Sequence, residues 1–276
     1  MLHIFPKLTI IPTIYIDGAI MDTCFLLLED GTLYTGTGFG APAPRLGSET
    51  LAAELVFNTS MTGYQEILTD PSYHGQMVVM TYVHIGNYGC EPDFEEGLST
   101  ASPIRCSALI VRSVYDGPLP RKRVSLEAYL SAHTICGISG VDTRSLTMHI
   151  RNKGAQNAML FTTGNRVLSG DEYAYARSLV TAFPSLGERD LIDGVATKTI
   201  VKNPGLSEQL PDKPLLHFAV VDFGIKRSIL SHLYSRGCSV TLFPPDSTAQ
   251  TILAYNCDAL LLSNGPGDPE RLAHAI

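Results

Sequence analysis

The residues best suited to binding a ligand lie near the end of the chain, in the run Ser263-Asn264-Gly265-Pro266-Gly267-Asp268-Pro269, the glycine loop. It follows the apolar residues 259–262, whose length and flanking turn residues predict a buried strand. Open α/β sheets bind ligands at the carboxyl ends of their strands. Glycines allow unusual φ values and close approach to the backbone, and Pro266 fixes one φ between them. The loop could therefore present N–H groups that stabilise an oxyanion, although an ordinary surface turn has the same composition.

No nucleophile accompanies this loop. Acyl transfer on an α/β sheet needs Ser or Cys in a Gly-x-[Ser/Cys]-x-Gly turn with a histidine nearby. None of the six cysteines lies in such a motif, and both Cys238 and Cys257 precede predicted strands, where small buried side chains fit. His84 has the most suggestive setting of the eight histidines, but a structural role is its simpler interpretation. Phosphate-loop and dinucleotide motifs are missing too, so we expect no cofactor site in this chain.

Polar residues cluster in a second place. Residues 57–73 contain more short hydroxyl and polar side chains than a solvated loop requires. Within them, Ser72 follows Asp70-Pro71 and is either a turn residue or a hydroxyl offered to a ligand from a rigid turn. Asp142-Thr143-Arg144 has the same ambiguity, because it fits a helix cap with a surface arginine as well as a functional cluster.

Composition limits the function classes. The 276 residues are enough for about two domains. With 20 Lys and Arg against 27 Asp and Glu, the net charge of −7 argues against a nucleic-acid-binding surface. The cysteines are scattered, without a Cys-x-x-Cys pair, which disfavours zinc and favours reduced thiols in a cytoplasmic protein.

The first twenty residues need a separate interpretation. They are apolar but are interrupted by Pro6, Pro12 and Asp17, which makes them a poor signal peptide and too broken a run to span a membrane. A regular globular pattern begins at Met21. We therefore expect 1–20 to be a weakly ordered upstream extension and expect no membrane association.

Residues 21–163 are predicted to form a mixed α+β domain. Its hairpin turns at Glu29-Asp30-Gly31, Ser125 caps a helix over 126–132, and Asp142 or Thr143 caps a second helix that ends at Gly154. Strands are predicted at 24–28, 32–35, 54–57, 77–82 and 108–111. Residues 164–215 are rich in Pro and Gly and predict a linker region with some short structure.

Residues 216–276 predict an α/β domain. Strands at 217–223, 240–243 and 259–262 alternate with a helix over 226–236 closed by Gly237 and a helix capped by Ser247, and a third helix opens at Glu270. This order predicts parallel strands with right-handed crossovers, the doubly wound class. Three strands make a thin sheet with exposed edges, so we expect the domain to be incomplete as an isolated unit.

Over about residues 22–276 the chain resembles the small, glutamine-hydrolysing subunits of carbamoyl phosphate synthetases. The run 57–73 is the most specific block, whereas Gly-Pro-Gly is shared by many class I glutamine amidotransferases. Further blocks are His84-Ile85-Gly86-Asn87, Asp142-Thr143-Arg144, Lys153-Gly154-Ala155-Gln156-Asn157, Asp222-Phe223-Gly224 with Lys226-Arg227, and residues 262–269.

The resemblance implies a family-specific N-terminal domain and a flavodoxin-like class I amidotransferase domain. In the family a cysteine, assisted by histidine and glutamate, hydrolyses L-glutamine, and ammonia passes through a tunnel to a large subunit. There it reacts with ATP-activated bicarbonate, which gives carbamoyl phosphate for arginine and pyrimidine synthesis; ATP and a divalent cation are expected on that large subunit. Ser72, Gly265 and Gly267 match family positions that contact glutamine, the glycines through backbone N–H groups.

One departure from the family is serious. The family's nucleophile, its later glutamine contacts and its His/Glu pair lie beyond the equivalent of Ile276. We therefore assign no catalytic residue, regard the chain as a C-terminally truncated subunit, and predict that it does not hydrolyse glutamine by itself. The alternative is a non-catalytic scaffold or regulatory partner of a synthetase subunit. A different flavodoxin-like binding module is contradicted by the run 57–73.

Overall fold

A computed structural model describes residues 23–48, 51–98, 103–205 and 213–272. The predicted extension 1–20 lies outside these residues. The first part of the described chain contains strands β1 to β9 and helices α1 to α4. In chain order they are β1 (Thr23–Leu28), β2 (Leu33–Gly40), β3 (Ala52–Asn58), α1 (Tyr64–Thr69), β4 (Gln76–Met80), β5 (His84–Ile85), β6 (Ala108–Ile110), β7 (Ser113–Val114), α2 (Leu126–Ala132), β8 (Cys136–Ser139), α3 (Thr143–Lys153), β9 (Gln156–Thr162) and α4 (Gly170–Ala182).

Seven of these strands close into a barrel in the order β1-β2-β8-β6-β4-β3-β9. The pairs β3–β4, β4–β6 and β6–β8 are parallel. The pairs β1–β2, β1–β9, β2–β8 and β3–β9 are antiparallel. Alternate residues point to opposite faces of a strand. Side chains from six strands, among them Leu26, Leu55, Val79 and Ile138, pack into one buried cluster that α3 joins through Leu146. This cluster is the barrel core.

Local signals set the ends of several elements. The hairpin between β1 and β2 is confirmed by their antiparallel pairing. Ser125 caps α2 by accepting from the Ala128 N–H, as predicted, and the side chain of Asp142 rather than Thr143 caps α3. Gly154 ends α3 with a φ of 95°. Side-chain caps and glycine at the end of a helix are local devices, which explains why the sequence reveals them.

Helix α4 was not expected. It occupies 13 residues of a region predicted to contain only short structure, and a capping box at Ser169 and Glu172 begins it. Only Ala176 and Val180 of this helix are buried, where they pack with Phe25 of the barrel. So few buried positions leave almost no apolar periodicity in the sequence, and the helix could not be recognised from it.

The second sheet has the order β10-β12-β11-β13. Strands β11, β12 and β13 are parallel, as predicted, whereas the edge strand β10 is antiparallel and was not predicted. Thr248, not Ser247, caps α6, and the predicted third helix is a 3-10 turn over the described residues Pro269–Leu272. The elements are β10 (Val201–Lys202), β11 (His217–Val221), α5 (Arg227–Tyr234), β12 (Ser239–Phe243), α6 (Ala249–Leu253) and β13 (Ala259–Leu262).

One face of this sheet is covered by α5. Val220 and Leu242 of the sheet pack with Leu230 of α5 in a buried cluster. Strand β13 leads directly into the glycine loop, as the sequence predicted. Its predicted burial is wrong, because β13 lies at the edge of the sheet with Leu260 57% and Leu262 53% exposed. The sheet and its helix therefore hold that loop at the carboxyl edge of the parallel strands. No helix in the described part of the chain is long and apolar enough to cross a membrane.

Candidate functional site

The two glycines of the glycine loop are required for different reasons. A Cβ on Gly265 would lie 2.1 Å from the backbone oxygen of Phe223, so this position needs glycine because two backbone segments almost touch. Its φ is not in the left-handed region. Gly267 has a φ of 84° with no other atom within 4 Å of its Cβ position, so it needs glycine for conformation. The expectation of unusual φ values is confirmed for Gly267 and wrong for Gly265.

The side chain of Asn264 ties this loop to the first domain. Its Nδ2 donates to the Ser72 Oγ at 3.0 Å and to the Gly224 backbone oxygen at 2.9 Å. Ser72 lies in the 3-10 helix Pro71–Tyr73, 192 residues away in sequence. Since a hydroxyl that accepts a hydrogen bond keeps its own proton to donate, Ser72 can still offer an O–H to a ligand.

Several polar atoms at the glycine loop have no hydrogen-bond partner among the described residues. Among the described residues, the N–H groups of Gly265 and Gly267 donate to no acceptor. The Asn264 Oδ1 is buried and has no hydrogen-bond donor within the described chain. A buried polar atom without a partner costs free energy, so a ligand that satisfies it gains that much in affinity. The loop thus offers two N–H donors and one carbonyl acceptor, beside the Ser72 hydroxyl.

The floor beneath the loop is fixed by Asp222, a carboxylate at the end of strand β11 that is 2% exposed. Its Oδ1 accepts the N–H groups of Gly224 and Ile225, each at 2.9 Å, and its Oδ2 accepts the Thr197 N–H at 2.7 Å. Backbone N–H groups compensate the buried charge, as a buried carboxylate requires. The Asp222 side chain therefore fixes the turn after β11 and joins that turn to the linker at Thr197.

An ion pair joins the two domains next to Ser72. One carboxylate oxygen of Asp70 accepts the Ser72 N–H at 2.9 Å, and the other lies 2.8 Å from the Lys226 Nζ. Burial disfavours the charged form of Lys226, but its hydrogen bond to Asp70 and the charge of that carboxylate outweigh this and raise the pKa of Lys226. The position of Ser72 therefore depends on a residue of the second domain.

Helix α5 is also capped from the first domain. Its own N-cap residue, Lys226, makes no side-chain cap. Instead the backbone oxygen of Glu96 accepts the Arg227 N–H at 2.8 Å, and the Glu96 Oε2 accepts the Ser228 N–H at 2.9 Å. The Thr69 hydroxyl in turn accepts the Glu96 N–H at 2.9 Å. A carboxylate at a helix N-terminus satisfies free N–H groups and complements the helix dipole.

The structure thus brings Ser72 and the glycine loop together. The other residues considered for a functional role lie elsewhere in the fold. Asp142-Thr143-Arg144 forms a helix start, and His84 is exposed on the short strand β5. The contributions of Asn264, Asp222 and Glu96 were missed. For Asp222 a signal existed, since a carboxylate directly after an apolar strand is unusual.

None of the cysteines has the environment of a nucleophile. All six lie in described residues, and none forms a disulfide. Burial raises the pKa of Cys90 and Cys106 to about 12 and that of Cys136 to about 11, so these thiols stay protonated at neutral pH. Cys257 lies 3.8 Å from the His217 Nε2, but burial and then Asp258 raise its pKa as well. Within the described residues, no group of three or more His, Cys, Asp or Glu side chains could hold a metal ion.

The parallel sheet with its glycine loop defines a glutamine amidotransferase domain: the family model described as glutamine amidotransferase class-I matches residues 219–276. The model described as carbamoyl-phosphate synthase small chain, CPSase domain, matches residues 26–160. The chain belongs to the carbamoyl phosphate synthase small chain family.

Curated relatives agree with this assignment. Proteins named carbamoyl phosphate synthase small chain are 44% identical in Vibrio parahaemolyticus, 42% in Methanococcus vannielii and 43% in Vibrio cholerae. The alignments cover 91%, 90% and 92% of this chain and 65%, 60% and 66% of the relatives. The chain therefore spans somewhat less than two thirds of their length. A solved peptidase M28 precursor from Shewanella amazonensis, 10% identical, covers 51% of this chain and 35% of its own with a TM-score of 0.30, a likeness too low to carry an argument.

Proposed function

We propose that this chain contains part of the L-glutamine site of the small subunit of a glutamine-dependent carbamoyl phosphate synthetase. In this proposal Ser72, Gly265 and Gly267 contact glutamine. The complete subunit hydrolyses glutamine and supplies ammonia to a large subunit. That cytoplasmic partner uses ATP and a divalent cation to make carbamoyl phosphate for arginine and pyrimidine synthesis.

The observation that carries the proposal is the hydrogen bond between Asn264 and Ser72. It connects the most family-specific run, 57–73, to the glycine loop, where N–H donors and a carbonyl acceptor have no partner among the described residues. A glutamine side chain has an amide oxygen that accepts hydrogen bonds and an amide NH₂ that donates them. The glycine N–H groups suit the oxygen, including the oxyanion that develops on attack, and the Asn264 Oδ1 suits a ligand N–H.

We further propose that residues 1–276 alone bind glutamine without hydrolysing it. Acyl transfer from glutamine needs an activated nucleophile, and the cysteines whose pKa values are raised by burial cannot supply a thiolate at neutral pH. Binding without hydrolysis would assign the purified chain a partial site. Ammonia release above a blank without protein would contradict this part of the proposal.

Isothermal titration of the chain with L-glutamine tests the site directly. We expect saturable binding that Ser72→Ala weakens about fivefold or more, since loss of a hydrogen bond to a buried polar group costs about 1–3 kcal/mol. Ser131→Ala is the matched control, because Ser131 is exposed on α2 and should leave the affinity unchanged. Asparagine, one methylene shorter, should bind more weakly. Absence of glutamine binding by the unmutated chain would overturn the proposal.

A scaffold that docks on a synthetase subunit without binding glutamine is the second candidate. The raised pKa values of Cys90, Cys106, Cys136 and Cys257 favour it equally. Both candidates predict that the chain co-purifies with a large subunit, so such an experiment does not separate them. The glutamine titration does, because a scaffold gives no saturable signal.

A further inference from the structure

A cluster of basic side chains lies beside the glutamine site and plays no part in it. His74 follows Ser72 by two residues, and its ring packs so closely on Gly194 that a Cβ there would lie 2.5 Å from the His74 Nε2. Arg105 reaches the same place, with its Nη1 3.4 Å from the Gly194 backbone oxygen. Arg189 donates from its Nη1 to the Gly75 backbone oxygen at 3.0 Å. Three cationic or potentially cationic groups from three chain segments thus surround residues 74–75 and 194.

Among the described residues, Arg105 has no carboxylate partner, and Arg189 has a partial one. The ion pairs found among the described residues involve neither Arg105 nor Arg189. The Arg105 Nε is buried and has no hydrogen-bond acceptor in the described residues. Arg189 is compensated in part, since the charge of Glu54 acts on it and its guanidinium lies over the Phe183 ring, 5.1 Å from the ring centroid. A partly buried guanidinium without an anion is costly, which indicates a missing anionic partner.

The burial of these groups agrees with this geometry. Burial, followed by the charges of Arg105 and Arg189, lowers the pKa of His74. Burial also lowers the pKa of Arg105. The charged form of each group is therefore less stable here than in water, and an anion placed among these groups would stabilise that form.

We propose that His74, Arg105 and Arg189 form a binding site for a phosphate group, at the seam between the barrel and the linker segment 189–197. Guanidinium groups bind oxyanions through paired N–H donors. The His74 ring already bonds to the Arg105 backbone, and a bound anion would favour its protonated form, which has a second N–H to donate. Donors from three segments match the several oxygens of a phosphate better than the two oxygens of a carboxylate. The ligand is either free inorganic phosphate or the phosphate ester of a small metabolite.

The occupied site would stiffen the neighbouring segment. Val195, next to Gly194, approaches the Cβ position of Gly224 to 2.9 Å, and Pro71 approaches it to 3.1 Å. A phosphate that bridges Arg189 to His74 ties this linker to the turn that carries Ser72. Phosphate binding therefore raises the unfolding temperature of the chain.

Titration calorimetry with inorganic phosphate at constant ionic strength tests the site. The expected result is saturable binding with one phosphate per chain, weakened at least tenfold in Arg105→Gln and in Arg189→Gln. Arg121→Gln is the control, because Arg121 is exposed and the substitution removes the same charge. Phenyl phosphate distinguishes the two sources, since tighter binding of the ester assigns the site to a metabolite and equal binding assigns it to the phosphate group alone.

The unmutated chain decides the outcome even if a variant fails to fold. No saturable heat with either phosphate compound overturns the proposal, and so does equal weakening by Arg121→Gln, which would indicate only a general charge effect. Circular dichroism in phosphate-free buffer checks the fold of each variant. Arg105→Lys, which keeps the charge but loses the paired donors, is expected to bind more weakly than the unmutated chain and more tightly than Arg105→Gln. Acetate is expected to bind more weakly than phosphate, and tighter binding of acetate would overturn the assignment to phosphate.

Discussion

The Lys226 Nζ lies 2.8 Å from the Oδ2 of Asp70, and the other oxygen of that carboxylate holds the Ser72 N–H. One carboxylate therefore sets the position of Ser72, a proposed glutamine contact in the first domain, and anchors the start of α5 in the second. The ion pair is mostly shielded from water, with 32% of the Lys226 side chain and 10% of the Asp70 side chain exposed. The two domains are consequently coupled at the site.

Asp70→Asn tests this coupling. The amide can still accept the Ser72 N–H but cannot pair with the Lys226 ammonium, so we expect a loss of about 1–3 kcal/mol in the free energy of unfolding. Asp193→Asn is the control, because Asp193 pairs with Lys198 on the open surface and surface pairs contribute at most about 1 kcal/mol. Urea unfolding measures both changes. Equal effects of the two substitutions would refute the special role of Asp70.

Asn264→Asp tests the link between the glycine loop and Ser72. The substitution replaces the donor that faces the Ser72 hydroxyl and the Gly224 carbonyl by a carboxylate oxygen, which repels the carbonyl oxygen. We expect glutamine affinity to fall at least tenfold. Titration of the folded variant with glutamine measures this loss, and an unchanged affinity would show that the link is not needed.

The two loop glycines should respond differently to alanine. Gly265→Ala places a Cβ 2.1 Å from a backbone oxygen that no side-chain rotation can move, so we expect a large drop in the unfolding temperature and loss of glutamine binding. Gly267→Ala meets no atom and costs only its left-handed φ, about 1–2 kcal/mol. Gly170→Ala, in open space at the start of α4 and without a positive φ, is the control. The reverse order of unfolding temperatures for the two loop variants would contradict the assigned reasons.

The lowered pKa of Asp30 in the folded protein predicts that stability depends on pH. Burial alone would raise its pKa, but hydrogen bonds from Lys153 and Thr32 and the charge of His149 outweigh it and hold the pKa well below 3.8, the usual value. A lowered folded-state pKa stabilises the protein above the unfolded-state pKa, and this stabilisation is lost as the pH falls towards the folded-state value. Asp30→Asn should therefore cost roughly 1 kcal/mol near pH 7, a figure reduced for solvent screening, and less at pH 3.

Urea unfolding at pH 7 and pH 3 measures this difference. Asp116→Asn, at an exposed aspartate, should change stability little at either pH. A penalty for Asp30→Asn that is larger at pH 3 than at pH 7 would contradict the predicted sign.

The sequence by itself determined the features that neighbouring residues control. Ser125 and Asp142 mark helix starts because a cap bonds to N–H groups only three residues away. Short apolar runs located most of the described strands, although β8 and β9 of the barrel were not predicted. The strand before the glycine loop followed from four apolar residues and the turn residues around them. The family-specific run 57–73 is local in the same sense.

Only the tertiary structure decided which of these elements meet. The barrel closes by pairing β1 with β9, through contacts such as Cys24 with Thr162, and no local pattern specifies that partner. Asn264 reaches Ser72 across 192 residues, and Glu96 caps a helix whose own N-cap residue has no capping side chain. Hydrogen bonds within a turn are set by a few adjacent residues, whereas contacts between distant segments depend on the packing of the whole chain, so the assembled site could be seen only in the folded protein.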